Sequence, residues 1–394
     1  MRVCHVVYGY FPFDPRVRRE VDTLRRQGHK IDVISMREPG ESIRETLAGV
    51  RVHRIPFEVI RGGSLRYLFQ YVVFFLAASS LLLKLHWRHR FQLVHVHSLP
   101  DFQVFGALPE KLAGVRVLLD LHEAMPEILS ARMRLPSSSF RVRLATALER
   151  ASCAFADHVF VVNETIRSLL IGRGADGSKI SVVMNSPDRG DLRPGDPGKL
   201  RADLGLAGQR AVVYVGGINA ERDLGLLVQA VARLRSTHHL RLAIFGYGDP
   251  AYREILEAIA RREGMGGEFI LGPRLPPEEV FSYISLSEVG PVTYERNPLT
   301  ELAVPNKVFE YAAAGKPLVI ANLEALRSLF GDSALYYEPG NAADLARQIR
   351  RLLDEEGLGE RMRLRATLVL DACAWEVMGE RIAAAYAKLG EMGG

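Results

Sequence analysis

Short apolar runs alternate with longer amphipathic stretches along the first half of the chain. Val3–Tyr8, Ile31–Ser35, Val50–Ile55, Leu93–His97, Val115–Leu121, His158–Val162 and Ile180–Met184 predict strands. Between the first two, Asp14 reads as an N-cap and Pro15 as a first helical residue, with Val17, Val21 and Leu24 following at helical spacing. Strands separated by single helices predict a parallel sheet, so the first half reads as a doubly wound α/β domain.

A polar, Gly/Pro-rich stretch, Asp188–Gly198, predicts a linker, after which the same grammar restarts. Ala211–Val215, Leu240–Phe245, Glu268–Leu271, Val289–Val292, Pro317–Ile320 and Ala334–Tyr337 are the strands of a second α/β domain. The expected division is residues 1–190, residues 191–370 and a C-terminal helix over 371–394. Two Rossmann-like, doubly wound domains in tandem are expected to hold a ligand in a cleft where the carboxyl ends of their sheets face each other.

Tyr67–Leu83 interrupts this alternation, with Gln70, Ser79 and Ser80 as its polar members and Arg66 and Lys84 at its ends. Its length approaches that of a membrane span. It is read here as a helix buried in the first domain, with partial presentation to a membrane and a membrane span as the alternatives. Lys84, His86, Arg88, His89 and Arg90 form a basic collar behind it, which suits an anionic interface.

Charge sharpens that expectation. Residues 1–190 carry 27 Lys/Arg against 18 Asp/Glu, whereas residues 191–394 carry 24 against 28. The first half is therefore expected to meet something anionic, a membrane surface or a phosphorylated acceptor. The basic residues are spread over many helices and form no nucleic-acid motif, so a nucleic-acid partner is not expected. Cys4, Cys153 and Cys373 make neither a disulfide framework nor a CxxC zinc pair. With no leader-like pattern at Met1–Val7, a cytoplasmic location, peripheral at the inner face of a membrane, is expected.

Candidate chemistry concentrates in the second domain. Val213-Tyr214-Val215-Gly216-Gly217 places a glycine pair at a strand end, where backbone N–H groups can approach an anion, and Arg222 adds a full charge nearby. Neither a Walker loop nor a GxGxxG fingerprint occurs, which disfavours a nicotinamide oxidoreductase. In Pro305-Asn306-Lys307-Val308-Phe309-Glu310, Lys307 and Glu310 share one helix face. There a carboxylate can accept both hydroxyls of a ribose while the lysine holds phosphate; the alternative is a surface ion pair.

In the first domain His122 follows the apolar strand Val117–Leu121 and should stand at its carboxyl edge, with Asp120 and Glu123 beside it. His95 and His97 are read as pointing to opposite sides of their strand and not as a metal pair. No Asp-x-Asp occurs, so no metal site and no cofactor are expected.

Taken together, the Lys307/Glu310 segment, the Tyr-Val-Gly-Gly opening and Val183-Met184-Asn185-Ser186-Pro187 resemble the family-4 retaining glycosyltransferases of the GT-B fold. Phe13-Asp14-Pro15-Arg16-Val17-Arg18-Arg19-Glu20, Gln27-Gly28-His29-Lys30 and Leu119-Asp120-Leu121-His122-Glu123 extend the resemblance through the first domain. Ala374-Trp375-Glu376 resembles the start of the family's last helix, which crosses back onto that domain.

The resemblance implies transfer of a sugar, with retention, from a nucleotide diphosphate sugar to a glycan or lipid-linked acceptor in envelope or exopolysaccharide assembly. It implies catalytic roles for His122, Arg222 and Lys307, and donor contacts from Gly216, Gly217, Arg222, Asn306, Lys307 and Glu310. Asp14, Arg16, Glu123 and Asn185 are expected on the acceptor side or behind it. Two departures stand out. Glu310 matches the second glutamate of the family's E-x7-E motif, but Leu302 occupies the first position and Glu301 lies one place off. Where the family often has Gly-Arg followed by Lys, this chain has Gly217 and then Arg222. A sugar-nucleotide 2-epimerase-type enzyme and a catalytically degenerate GT-B binding subunit are the rival readings.

Overall fold

The computed structural model describes residues 1–56, 64–186 and 197–391. The linker expected over Asp188–Gly198 lies outside the described residues up to position 196. The chain divides into two compact units, Met1–Asn185 with Glu376–Gly394, and Ser186–Trp375.

The first unit is built on eight strands, β1 (Arg2–Tyr10), β2 (Lys30–Met36), β3 (Arg44–Leu47), β4 (Val50–Ile55), β5 (Leu93–His97), β6 (Arg116–Leu121), β7 (His158–Val161) and β8 (Ile180–Val182). They form one sheet in the order β3-β4-β2-β1-β5-β6-β7-β8. All neighbours are parallel except β3 and β4. The strands are buried on both faces, as parallel sheets require, and Val3, Val33, Leu93 and Leu118 are fully enclosed. β3 was not expected: it is polar and half exposed. It exists because Ala48 and Gly49, both at positive φ, make a two-residue turn that folds Arg44–Leu47 back on β4.

The helices of this unit are α1 (Pro15–Arg26), α2 (Ser64–His89), α3 (Leu108–Leu112), α4 (Met125–Met133), α5 (Phe140–Phe155) and α6 (Glu164–Gly172). Asp14 caps α1 as expected, its carboxylate accepting from the backbone N–H of Arg16 and Val17. α2 corrects the expectation of a buried helix. Phe74, Ala78, Leu82 and Leu85 face inward, while another face carries large apolar side chains into solvent. By length and composition it is the one helix, among the described residues, apolar enough to cross a membrane.

The second unit holds α7 (Pro197–Asp203), α8 (Leu224–Ala232), α9 (Arg235–His238), α10 (Pro250–Arg262), α11 (Pro277–Ile284), α12 (Pro298–Glu301), α13 (Asn306–Ala313), α14 (Glu324–Phe330), α15 (Ala342–Asp354) and α16 (Leu358–Ala372). Its strands are β9 (Arg210–Val215), β10 (Leu240–Phe245), β11 (Phe269–Gly272), β12 (Gly290–Val292), β13 (Leu318–Ala321) and β14 (Leu335–Tyr337). Two parallel three-stranded ladders, β11-β10-β9 and β12-β13-β14, meet with β9 beside β12. The strand order reverses at that seam, which is the Rossmann arrangement and its topological switch point. The last helix, α17 (Trp375–Glu391), belongs from Glu376 onward to the first unit. There its Tyr386 hydroxyl lies 2.9 Å from His95 Nδ1, and Arg381 donates to the Val182 carbonyl.

Candidate functional site

At the carboxyl end of β9 the backbone continues as Gly216-Gly217-Ile218, beside Phe245-Gly246-Tyr247-Gly248 from β10. Gly216 N–H donates to the Phe245 carbonyl at 2.8 Å and Ile218 N–H to the Tyr247 carbonyl at 2.7 Å. The two segments run so close that a Cβ on Gly246 would stand 1.7 Å from the Gly216 oxygen, and one on Gly248 would stand 1.8 Å from the Ile218 oxygen. Gly216 itself adopts φ +152. The helix does not follow the glycines directly: a 3₁₀ turn over Ala220–Arg222 and Asp223 in the left-handed conformation intervene before α8.

α13 closes the seam between β9 and β12. Lys307 and Tyr311 lie one helical turn apart and reach alternate carbonyls of β9: Lys307 Nζ donates to Val215, and the Tyr311 hydroxyl donates to Val213 at 2.7 Å. Lys307 Nζ also stands 4.8 Å over the Tyr214 ring, whose hydroxyl donates to the Gly217 carbonyl at 2.9 Å. A Cβ on Gly216 would meet the tip of the Lys307 side chain, which would have to shift, and the φ of +152 is itself one that L side chains rarely adopt.

Arg222 lies with its guanidinium 4.6 Å over the Tyr294 ring, and its carbonyl accepts from Thr293 Oγ1. Arg222 Nη1 and Glu310 Oε2 are both buried without a hydrogen-bond partner among the described residues. Burial pushes the Lys307 ammonium down to about 8, with Arg222 acting in the same direction and Glu310 against it. Burial raises Glu310, while Lys307 and Arg222 hold it down. Two cations and one carboxylate thus converge on the switch point with hydrogen-bonding capacity unspent. That arrangement can hold an anion beside a polyhydroxyl group.

Asn306 is exposed on the first turn of α13. Glu301 is spent elsewhere: it pairs with Arg296 at 3.1 Å and accepts the Glu324 N–H at the start of α14 at 2.7 Å. Leu302 is buried.

In the first unit His122 is half buried at the end of β6. Its Nε2 lies 2.9 Å from Asp120 Oδ2, and its backbone N–H donates to Ser98 Oγ. Asp120 is fully buried and takes both ends of the Arg16 fork, from Nε at 2.8 Å and Nη2 at 2.7 Å. Arg16 also donates to the Val183 carbonyl. Burial would raise the Asp120 carboxyl, but Arg16 and His122 drive it well below the usual range. Arg16 is thus joined through Asp120 to His122. Asn185 accepts from Arg19, and Glu123 is exposed.

His95 and His97 share one face, contrary to the expectation above, because residues two apart on a strand point the same way. Their rings stack at 4.4 Å, and His5 Nδ1 lies 3.0 Å from His97 Nε2. Ligand atoms of His5, Glu20, His95 and His97 fall within 4.8 Å of one another, as do those of His97, Asp120 and His122, so the spacing is within a metal's reach. The Arg16 guanidinium, 3.2 Å from Glu20 and bonded to Asp120, already places a permanent cation between the two clusters.

Sequence reading missed Tyr214, Tyr294 and Tyr311, which look like core aromatics, and Gly246 and Gly248, which look like turn residues. The available signal is a glycine directly after β9 and another directly after β10, Gly216 and Gly246.

Comparison with known proteins agrees with this architecture. Residues 14–186 match the glycosyl transferase 4-like domain, and residues 209–355 match the glycosyl transferases group 1 domain. A 2-deoxystreptamine glucosyltransferase of Streptomyces kanamyceticus is 26% identical over 358 residues, covering 88% of this chain and 83% of that protein. The D-inositol 3-phosphate glycosyltransferase of Nocardia farcinica is 30% identical over 57% of this chain, which spans 50% of that protein's length. Sucrose-phosphate synthase from Thermosynechococcus elongatus superposes with a TM-score of 0.79 at 17% identity, over 99% of each chain. Anabaena Alr3699/HepE, solved with UDP-glucose, superposes with a TM-score of 0.71 at 17% identity, over 98% of this chain and 100% of that one. With this fold, these two domains and these relatives, the chain is a glycosyltransferase of the GT-B fold that resembles the family-4 enzymes.

Proposed function

We propose that the protein is a retaining, metal-independent glycosyltransferase that moves a sugar from a nucleotide diphosphate sugar to a glycan or lipid-linked acceptor in envelope or exopolysaccharide assembly, working in the cytoplasm. The carrying observation is the convergence of Lys307, Arg222 and Glu310 at the switch point of the second unit, with Glu310 Oε2 and Arg222 Nη1 buried and unpartnered. Glu310 suits a ribose diol, and the two cations suit a diphosphate. Alr3699/HepE, of the same fold, was solved with UDP-glucose, which supports a donor of that class.

Breaking the anomeric bond develops positive charge on the sugar ring and negative charge on the departing phosphate. Lys307 and Arg222 answer the second charge from fixed positions, so stabilising it needs little reorganisation. His122 is the first-unit residue assigned to the reacting sugar or acceptor; Asp120 engages Nε2, which leaves Nδ1 for that contact. Retention is supported by the family-4 resemblance, and metal independence by the lack of any Asp-x-Asp in the sequence.

The test is a melting-temperature screen of UDP, GDP, ADP and their sugars on the wild type, Glu310→Ala and Arg222→Ala. One nucleotide series should stabilise the wild type and neither variant. Turnover should survive EDTA and give a product with the donor's anomeric configuration by NMR. Stabilisation shared equally by both variants, or activity lost to EDTA and restored by Mn²⁺, would refute the corresponding part of the reading.

A further inference from the structure

We propose that α2 lies flat in the interface of an anionic lipid bilayer and docks the first unit there. Leu68, Phe69, Val72, Leu76, Leu83 and Trp87 are all exposed, Phe69 at 67% and Trp87 at 72%. At 3.6 residues per turn these six fall within an arc of about 100° and run for about 28 Å along the helix. A scatter of exposed leucines is ordinary on a soluble protein, but a continuous apolar stripe on one helix marks an interaction surface.

The occupant is argued from charge. α2 contains no acidic residue, and Lys84 and Arg88 are exposed toward its C-terminal end, followed by exposed Arg90. α3 and α5 pack beside α2: Phe102 and Phe105 of the intervening 3₁₀ segment meet Phe75 of α2 and Phe155 of α5 edge to face, and α3 contacts both α2 and that segment. They add exposed Leu112, Phe140 and Leu144, with exposed Arg141 and Arg143 beside them. Within the described residues of the four helices themselves no acidic side chain is exposed; Glu127 of α4 is half-buried, and the exposed Glu123 lies in the loop between β6 and α4. Apolar surface with exposed cations on the same helices complements anionic headgroups over acyl chains, and an aromatic such as Trp87 near the basic end suits the headgroup boundary.

α2 does not span. Its opposite face seats Phe74 against Tyr8 of β1 at 5.1 Å between ring centres, and Phe74, Ala78 and Leu82 are buried. Leaving the sheet would bare that face and the strands beneath it. The helix therefore serves the sheet with one side and lipid with the other. This inference does not depend on the sugar-transfer reading.

Flotation of the full chain with phosphatidylglycerol/phosphatidylcholine vesicles, and with phosphatidylcholine alone, tests it. Binding is expected to the first and to be salt-sensitive. Lys84→Gln/Arg88→Gln should weaken it roughly 30-fold, at about a tenfold-or-less step per cation. Leu76→Ser/Leu83→Ser should weaken it roughly tenfold or more. The changed side chains are exposed, so the melting temperature checks that both variants fold. In a Trp375→Phe background Trp87 is the sole tryptophan, and its emission should shift to the blue only with anionic vesicles. Failure to float with either vesicle overturns the proposal, as does flotation that both variants leave unchanged. It is also overturned by a dimer in solution that Leu76→Ser/Leu83→Ser dissociates, or by cell-membrane association that resists alkaline carbonate, the mark of a span.

Discussion

The ammonium of Lys307 stands 4.8 Å above the ring of Tyr214, and the Tyr214 hydroxyl in turn holds the carbonyl of Gly217. One aromatic side chain thus links the candidate phosphate cation to the glycine loop beside it. Because burial pushes Lys307 down to about 8, its charge is lost within an accessible pH range. Protonated lysine attracts a diphosphate and the neutral amine does not. Nucleotide diphosphate affinity should therefore be flat from about pH 7 to 7.5 and weaken about tenfold per unit above pH 8. The limit is the higher pKa that lysine acquires in the complex. Calorimetric titration across this range checks it, and Lys307→Arg should abolish the dependence. The effect on folding has the opposite sense: the unfolded chain, with lysine near its ordinary 10.5, binds more protons between about pH 8 and 10, so stability rises with pH there.

The glycines that let β9 and β10 run on beyond the sheet separate folding from binding. Gly246→Ala and Gly248→Ala drive a methyl into backbone oxygens of Gly216 and Ile218. Each should cost about 3 kcal/mol and lower the melting temperature of the second unit by about 10 °C. At Gly217 an added Cβ meets only Asn219 Nδ2, at 3.8 Å. Gly217→Ala should accordingly leave the melting temperature within about 2 °C while weakening nucleotide binding. Differential scanning calorimetry with and without nucleotide distinguishes these outcomes. Equal thermal loss at all three positions would contradict the packing argument.

How far the sequence carries this account differs from residue to residue. The strand over Leu240–Phe245 and the Asp14 cap are local facts, set by hydrophobic run and cap chemistry, and both appear in the structure where the sequence places them. Lys307 and Glu310 were also readable, since helical spacing alone aligns them. The need for Gly246 is different: it arises from a carbonyl on the neighbouring strand, and nothing in the residues around position 246 reports that carbonyl. Tyr214 and Tyr311 are hidden for a related reason. Their burial is legible in their surroundings, but the backbone oxygens their hydroxyls satisfy are fixed by which strands meet at the seam. The histidine reading failed on geometry that was available, since His95 and His97 are two apart.

Arg16 and Asp120 form a buried, two-pronged ion pair that also fixes His122. Removing one partner strands the other charge in the core. Arg16→Met should therefore destabilise the first unit by about 3–5 kcal/mol, and the double variant Arg16→Met/Asp120→Asn should recover part of that loss. Asp120 ionises well below the usual carboxylate range, so its stabilising contribution is present above the unfolded carboxyl pKa, near 4, and fades as pH falls below it. Urea denaturation of both variants at neutral and acidic pH measures the effect. A double variant no more stable than Arg16→Met would show that Asp120 is not the stranded charge.

Glu301 offers the cleanest discrimination at the donor site, because it lies one residue from the position where the family-4 motif carries its first glutamate. Its carboxylate bonds Arg296 and the first N–H of α14, both partly solvent-exposed, which marks a helix-capping role. Glu301→Gln should then cost about 1 kcal/mol of stability and leave nucleotide affinity within a factor of two, whereas Glu310→Gln should weaken nucleotide binding tenfold or more. Parallel calorimetric titrations on the two variants decide it. A loss of affinity in Glu301→Gln equal to that in Glu310→Gln would mean that the Glu301 carboxylate turns toward the donor and takes the place left by Leu302.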